Sequence, residues 1–213
     1  MNYVTIALGK GRLVEETLSI LEEAGIVFPD FCKKSRKLIF ENKRQQLRMV
    51  LVKASDVPTY VERGAADLGV VGKDTLLESQ AKVYEVVDLG FGICKFAVAG
   101  LNASYRNKAK PIIATKYPNV AKAYFQEKGQ SIETIKLNGS VELAPLIGLS
   151  DCIVDIVETG KTLQENGLQV YEEISYVSAR LIANRASFKT KFTQIGEFIN
   201  SIQEVVDQRG ERS

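Results

Sequence analysis

The residues best suited to do chemistry lie between Asp151 and Gly167, in the run DCIVDIVETGKTLQENG. An apolar stretch from Cys152 to Val157 carries one acid, Asp155. Glu158, Thr159, Gly160, Lys161 and Thr162 follow, and a short helix is expected after the Gly/Thr turn. A strand, a turn of small hydroxyl residues and a helix together aim backbone N–H groups at a phosphate. An acid near the strand end suits a ribose hydroxyl, as in other nucleotide sites. The segment points to a phosphorylated sugar as ligand.

The turn ends like a nucleotide P-loop, which needs a glycine five residues before its Gly-Lys-Thr. Asp155 stands at that position, and no glycine lies between it and Gly160. A triphosphate-wrapping loop is therefore excluded, and a tighter grip on one monophosphate remains. Thr162-x-x-Glu165 also reads as a capping box that closes a helix start. The turn alone does not separate the two readings, which are compatible.

A second candidate is Gly9-Lys10-Gly11-Arg12, after the first apolar strand. Its glycines let backbone approach an anion, and Lys10 and Arg12 add charge-assisted donors. An ordinary strand-to-helix turn with solvated cations explains it equally. Its position at a strand's carboxyl end, where open α/β sheets bind ligands, favours a site. Gly72-Lys73-Asp74 has the same form, although Asp74 also suits a helix cap. Ser35-Arg36-Lys37 taken alone reads as solvated surface. Glu15, Glu16, Glu22 and Glu23 fall on polar helix faces.

The elements that must hold these turns alternate along the chain. Strands are expected at Tyr3–Leu8, Lys37–Phe40, Leu47–Val52, Asp67–Val71, Val83–Leu89, Ile93–Ala99, Pro111–Ala114, Ile132–Leu137, Gln169–Ser175 and Ala179–Ala183. Helices are expected from Leu13 to Ala24, from an N-cap at Ser55 to Gly64, and over Thr75–Ser79, Pro118–Lys128 and Gly139–Gly148. Phe188, Phe192, Ile195, Ile199, Ile202 and Val206 mark one amphipathic C-terminal helix. The alternation defines an α/β fold. Ala66–Glu78 and Asp151–Glu165 echo one another: acid, apolar strand, Gly-Lys turn, short helix. Two such units suit two similar lobes facing across a cleft.

Composition narrows the chemistry. The 213 residues contain no histidine, which removes imidazole acid/base catalysis and Ser-His or Cys-His pairs. The 28 Lys plus Arg against 26 Asp plus Glu are spread along the chain, so no nucleic-acid surface is indicated. Three cysteines without a C-x-x-C pair fit reduced thiols in the cytoplasm. The start lacks a signal peptide's pattern, and no apolar run approaches ~20 residues, so no membrane association is expected.

Several blocks converge on one family. VTIALGKGR, SRKL from Ser35, ASDVPTYVERGAADLGVVGKDTLLE from Ala54 to Glu78, ATKYP from Ala114, and DIVETGKTLQENGL from Asp155 to Leu168 resemble, in order, the ATP phosphoribosyltransferases of histidine biosynthesis. The resemblance is to the short form, which lacks the histidine-binding C-terminal domain of long forms. It implies a two-lobed, periplasmic-binding-protein-like (type II) fold with the active site in the cleft. Lobe 1 would take residues 1–90 and the terminal helix 184–213, and lobe 2 residues 91–183. It implies transfer of phosphoribosyl from phosphoribosyl pyrophosphate (PRPP) to N1 of ATP, with Mg2+ arriving on PRPP. It also implies a homodimer within a hetero-oligomer containing a histidyl-tRNA-synthetase-like regulatory subunit. Carried over by motif, Glu158, Thr159, Gly160, Lys161 and Thr162 would hold the 5-phosphate, with Asp155 near the ribose. Lys10, Arg12 and Arg36 would serve the pyrophosphate, and Gly11, Gly72, Lys73 and Asp74 the ATP side. The metal ligands stay unassigned. The chain reads ALGKGR where many relatives have ALPKGR. Lys53 stands where relatives often carry Arg, without Arg's planar fork, and is left outside the site. Two other classes fit parts of the pattern: a two-lobed binding module without catalysis and a kinase-like phosphotransferase.

Overall fold

A computed structural model describes residues 3–32 and 35–211. The chain forms two compact units, one running to Gly92 and resuming at Ser178, the other spanning Ile93–Val177. The ends of the expected first lobe and terminal helix, residues 1, 2, 212 and 213, lie outside the described residues.

The first unit opens with β1 (Val4–Lys10), α1 (Arg12–Glu23), the hairpin β2 (Ile39–Asn42) and β3 (Leu47–Lys53), α2 (Val57–Glu62), β4 (Leu68–Gly72), α3 (Lys73–Ser79) and β5 (Tyr84–Asp88). The second contains β6 (Cys94–Gly100), β7 (Ile112–Thr115), α4 (Pro118–Glu127), β8 (Glu133–Lys136), α5 (Leu143–Leu146), β9 (Cys152–Val157), α6 (Lys161–Glu165) and β10 (Gln169–Val177). The chain then returns to the first unit with β11 (Ala179–Ala183), α7 (Arg185–Thr190) and α8 (Phe192–Gly210).

Among the described residues the first sheet has the order β2-β3-β1-β4-β11-β5. β1 is its parallel centre, paired with β3 and β4. Both faces of β1 are covered, which explains its unbroken apolar run. Ile6 and Leu8 point to the cluster formed with Ile20 and Leu21 of α1 and Ile195, Phe198 and Ile202 of α8. Ala7 meets Val57 and Val61 of α2 on the other face. The second sheet is ordered β10-β6-β9-β7-β8, with β7, β8 and β9 mutually parallel and β6 antiparallel to both of its neighbours, β9 and β10. Cys152 and Val154 face the aromatic cluster of Phe96, Tyr117 and Phe125, while Ile153 and Val157 face α5 and α6.

Five expectations are corrected. β11 pairs antiparallel with β4 and β5, so residues 179–183 belong to the first sheet rather than to the second lobe. The C-terminal helix is two helices: Lys191 leaves helical geometry, with φ −120°, and its ammonium reaches the Asp67 carboxylate and the Tyr3 carbonyl, each at 2.8 Å. The expected helix at Gly139–Gly148 shrinks to the single turn Leu143–Leu146, preceded by Ser140 at φ 46°. Ser55 is not a helix N-cap. It sits in a 3-10 turn, Ala54–Asp56, and its hydroxyl donates to Asp56. Glu23, expected on a solvated face, instead binds Arg209 of α8, with Nε at 3.0 Å.

Candidate active site

Three parallel strands of the first unit end side by side, and most of its candidate residues cluster there. Lys10 closes β1, and Gly72 closes the adjacent β4. Gly11 links β1 to α1 with φ 129° and ψ −152°, a backbone that L side chains avoid, and Arg12 begins the helix. Arg36 comes to the same end of the sheet, because β2 runs antiparallel to β3 and Leu51 N–H donates to the Leu38 carbonyl at 2.8 Å. Lys10, Arg12 and Arg36 are all exposed. Carboxyl ends of parallel strands are where open α/β sheets bind ligands.

Gly9 has a different task from the anion approach expected of it. A Cβ there would lie 2.7 Å from the Ala54 Cα, so the glycine admits the 3-10 turn that follows β3. The same packing bears on Lys53, which lacks Arg's planar fork and lies outside the site expected from sequence. Lys53 is in register with Lys10 on the neighbouring parallel strand, so the two exposed lysines stand beside one another. The available signal was its place at the end of an apolar strand. The strand runs one residue past the expected Val52, and its register brings Lys53 to Lys10.

The turn after β4 is tight. α3 starts at Lys73 with Gly72 as its N-cap, so Asp74 does not cap the helix. Its carboxylate folds over Gly72, into space that a Cβ would fill, and Thr75 Oγ1 lies 3.4 Å from it. The Lys73 ammonium is ion-paired with Glu85 of β5.

In the second unit, Asp155 to Thr162 form one continuous feature at the carboxyl end of β9. Asp155 is half-buried on the face that α5 and α6 cover, and its carboxylate accepts from the Ile156 N–H at 2.8 Å. Glu158 and Thr159 are exposed, and Gly160 adopts φ 75°, ψ −1°. The Thr159 hydroxyl accepts from the Lys161 N–H at 3.5 Å. α6 begins at Lys161 with Gly160 as N-cap, so Thr162 and Glu165 both lie inside the helix and form no capping box. Buried Leu163 anchors that helix against Val157. The exposed hydroxyls of Thr159 and Thr162 flank a helix start whose first amides lack intrahelical acceptors. Asp151, by contrast, is structural: it accepts from Lys108 Nζ at 2.6 Å and the Ile112 N–H at 2.8 Å.

Cys152 is fully buried, and burial first, and then Asp151 and Glu172, push its thiol pKa up to about 12, which favours an inert, protonated thiol. Among the described residues, no group of three or more carboxylate or thiol side chains is placed to hold a metal ion. Among the described residues, no helix is long and apolar enough to cross a membrane.

Glycine, hydroxyl and basic residues at the strand ends of two α/β units define a protein built to bind phosphorylated ligands. A family model described as ATP phosphoribosyltransferase matches residues 53–204. The ATP phosphoribosyltransferase of Oceanobacillus iheyensis is 54% identical over 209 residues, 97% of this chain and 100% of the relative. That of Clostridioides difficile is 55% identical over 207 residues, covering 96% and 99%. Among solved structures, a chain of the ATP phosphoribosyl transferase (HisG:HisZ) complex from Thermotoga maritima is similar with a TM-score of 0.84 and 36% identity, covering 96% of this chain and 99% of its own. The chain belongs to the ATP phosphoribosyltransferase family, in its short form. It is a pentosyltransferase of histidine biosynthesis, joining the phosphoribosyl group of PRPP to N1 of ATP and releasing pyrophosphate. The binding-module and kinase readings are thereby set aside, and the fold class is two-lobed α/β, periplasmic-binding-protein-like.

Proposed function

We propose that the loop Glu158–Thr162 holds the 5-phosphate of PRPP and that Asp155 receives its ribose. The observation that carries this assignment is the left-handed Gly160, which opens a helix between two exposed threonines at a parallel strand's carboxyl end. Lys10, Arg12 and Arg36 draw charge from the departing pyrophosphate, and Lys53 joins them through its register with Lys10. Gly11, Gly72, Lys73 and Asp74 belong to the ATP side.

The chemistry asks little of acid/base groups. The adenine N1 attacks with a neutral lone pair, so a chain without histidine suffices. The demanding part is charge on the leaving group, which preorganised cations stabilise. Fixing C1 of the sugar in line with N1 lowers a barrier by up to ~7–11 kcal/mol in favourable systems. Magnesium, which the family implies, is assigned to PRPP as part of the substrate. When bound there it would neutralise pyrophosphate charge.

The proposal extends to assembly: a homodimer within a hetero-oligomer whose second component is a histidyl-tRNA-synthetase-like regulatory subunit. The Thermotoga complex supports that partnership. The reduced cysteines, with none in a disulfide, support a cytoplasmic location.

The test is steady-state kinetics with ATP and PRPP in the presence of the regulatory subunit. Thr159→Val should lower kcat/KM for PRPP by roughly tenfold, one good hydrogen bond to a charged group. Arg12→Ala should lower kcat. Both variants should keep the wild-type melting temperature. Unchanged kinetics in either would remove that residue from the site.

A further inference from the structure

The turn Gly72–Asp74 is tied down from behind by a charge network that the reaction itself does not call for. Lys73 contributes twice. Its backbone N–H donates to the Ser178 carbonyl at 2.9 Å, and its ammonium pairs with Glu85 on β5. Arg180 of β11 lies between the acids: its Nε is 3.1 Å from the second Glu85 oxygen, and its Nη1 is paired with Asp88. The Arg180 side chain is only 17% exposed, and its Nε finds a carboxylate near without hydrogen-bond geometry. The Ser178 hydroxyl donates to Asp88 at 2.7 Å, returning the network to the residue whose carbonyl holds Lys73. Burial pushes the Asp88 carboxyl up, but Ser178, the Gly90 amide and Arg180 outweigh it and hold Asp88 ionised below its ordinary range.

Two cations and two carboxylates make this set neutral as it stands. Its charged members sit at the start of α3, just past β4, and on the two strands beyond β4, β11 and β5. A Lys73 ammonium committed to Glu85 is not available to a phosphate unless the pair breaks, which would leave Glu85 to Arg180 alone. A charge-assisted bond of this kind is among the stronger polar contacts a side chain makes. The commitment also has a geometric product. With its N–H and its ammonium both anchored, Lys73 fixes the bend in which the Asp74 carboxylate folds over Gly72.

We infer that Glu85 is a positioning residue for the ATP-side turn. It holds the Lys73 ammonium away from substrate phosphate and, with Arg180 and Asp88 behind it, sets the bend that presents Asp74. This rests on the reading that the Gly72–Asp74 turn belongs to the ATP site. Lys73 then works as a clamp on the turn rather than as a cation touching ATP.

The experiment is a double-mutant cycle, assayed with the regulatory subunit while ATP and PRPP are varied separately. Glu85→Gln and Lys73→Met should each raise KM for ATP by a similar factor, roughly three- to tenfold, and the double variant should be no worse than the larger single effect, as coupled neighbours behave. KM for PRPP should not move. Factors that multiply in the double variant, a shift in the PRPP constant of equal size, or a Lys73→Met effect far above that of Glu85→Gln would each overturn the inference. Asp74→Asn separates the two levels. If it leaves KM for ATP unchanged, the turn is not in the ATP site and the underlying reading fails. If it raises that KM while Glu85→Gln does not, the positioning role alone fails.

Discussion

Two strand-to-helix turns of this chain look alike as text and differ as structure. Ala66–Glu78 and Asp151–Glu165 each read as acid, apolar strand, Gly-Lys turn and helix. At the first, β4 passes into α3 with no residue between them, Gly72 keeps an extended φ of −66°, and the lysine is paired with Glu85. At the second, Glu158, Thr159 and Gly160 separate β9 from α6, and Gly160 turns left-handed at φ 75°. The first turn fills its own space with its own side chains. The second turns exposed hydroxyls and a helix start outward. A glycine followed by a lysine at a strand end is thus no phosphate signature by itself. The number of residues between strand and helix decides whether backbone amides have room to face a ligand.

The sharpest break of that contrast is at Gly160. A Cβ there would meet Val157 Cγ1 at an ordinary 3.8 Å, so packing does not forbid a side chain, but φ 75° does. Gly160→Val places a β-branched residue in the left-handed region, which costs on the order of 1–3 kcal/mol or remodels the loop. Turnover with PRPP should fall by roughly a hundredfold, the scale on which misplacing a positioning element acts. KM for ATP should stay within a factor of about two, far below one tenfold step of binding energy. A variant that kept its PRPP kinetics would make the second turn as inert as the first.

Gly72→Ala tests the other turn and should act more weakly. The added methyl takes the place of the Asp74 carboxylate, which is the movable end of a side chain, so the fold should tolerate it. The melting temperature should hardly change, while KM for ATP rises by roughly tenfold as Asp74 is displaced, about the 1.4 kcal/mol of one good contact. Gly9→Ala provides the contrast within the same unit, since its Cβ would press on backbone at Ala54. A Gly72→Ala enzyme with unaltered ATP kinetics would show that Asp74's fold over the glycine has no bearing on the site.

The contrast also explains what could be read in advance. β9 and its turn were legible because an apolar run, an acid and a Gly/Thr turn are local signals within about a dozen residues. The same holds for β1, α1 and the hairpin β2–β3. What escaped was set by pairing across long sequence distances. Lys53 stands beside Lys10 only because β3 runs parallel to β1. β11 follows β10 after one residue, yet it joins the other sheet between β4 and β5. The interruption of the C-terminal helix depends on Asp67, 5% exposed, which draws the Lys191 ammonium inward. Hydrophobic period marks the helical face on both sides of Lys191 but cannot show that a lysine between them turns into the core.

The smallest expected effect concerns the frame behind the open turn. Glu172 of β10 accepts from the Tyr105 hydroxyl at 2.7 Å and from Arg106 Nη2 at 3.0 Å, and it also pairs with Tyr124 of α4 and with Lys128 just past that helix. Burial alone would raise its carboxyl pKa, but the bonds from Lys128, Tyr124, Tyr105 and Arg106 outweigh burial and bring it from 4.5 down to about 2. A depressed carboxyl stabilises the folded state above the unfolded pKa and loses that contribution as pH falls through the folded one. The stability advantage of wild type over Glu172→Gln should therefore be full at neutral pH, shrink below about 4.5 and vanish near about 2. Urea midpoints across that range measure it. Because Glu172 braces the edge strand and not the loop after β9, Glu172→Gln should leave KM for PRPP unchanged at neutral pH. A PRPP constant that moved with the urea midpoint would mean that the open turn owes its geometry to this distant frame, and the difference between the two turns would no longer be a local property of three residues.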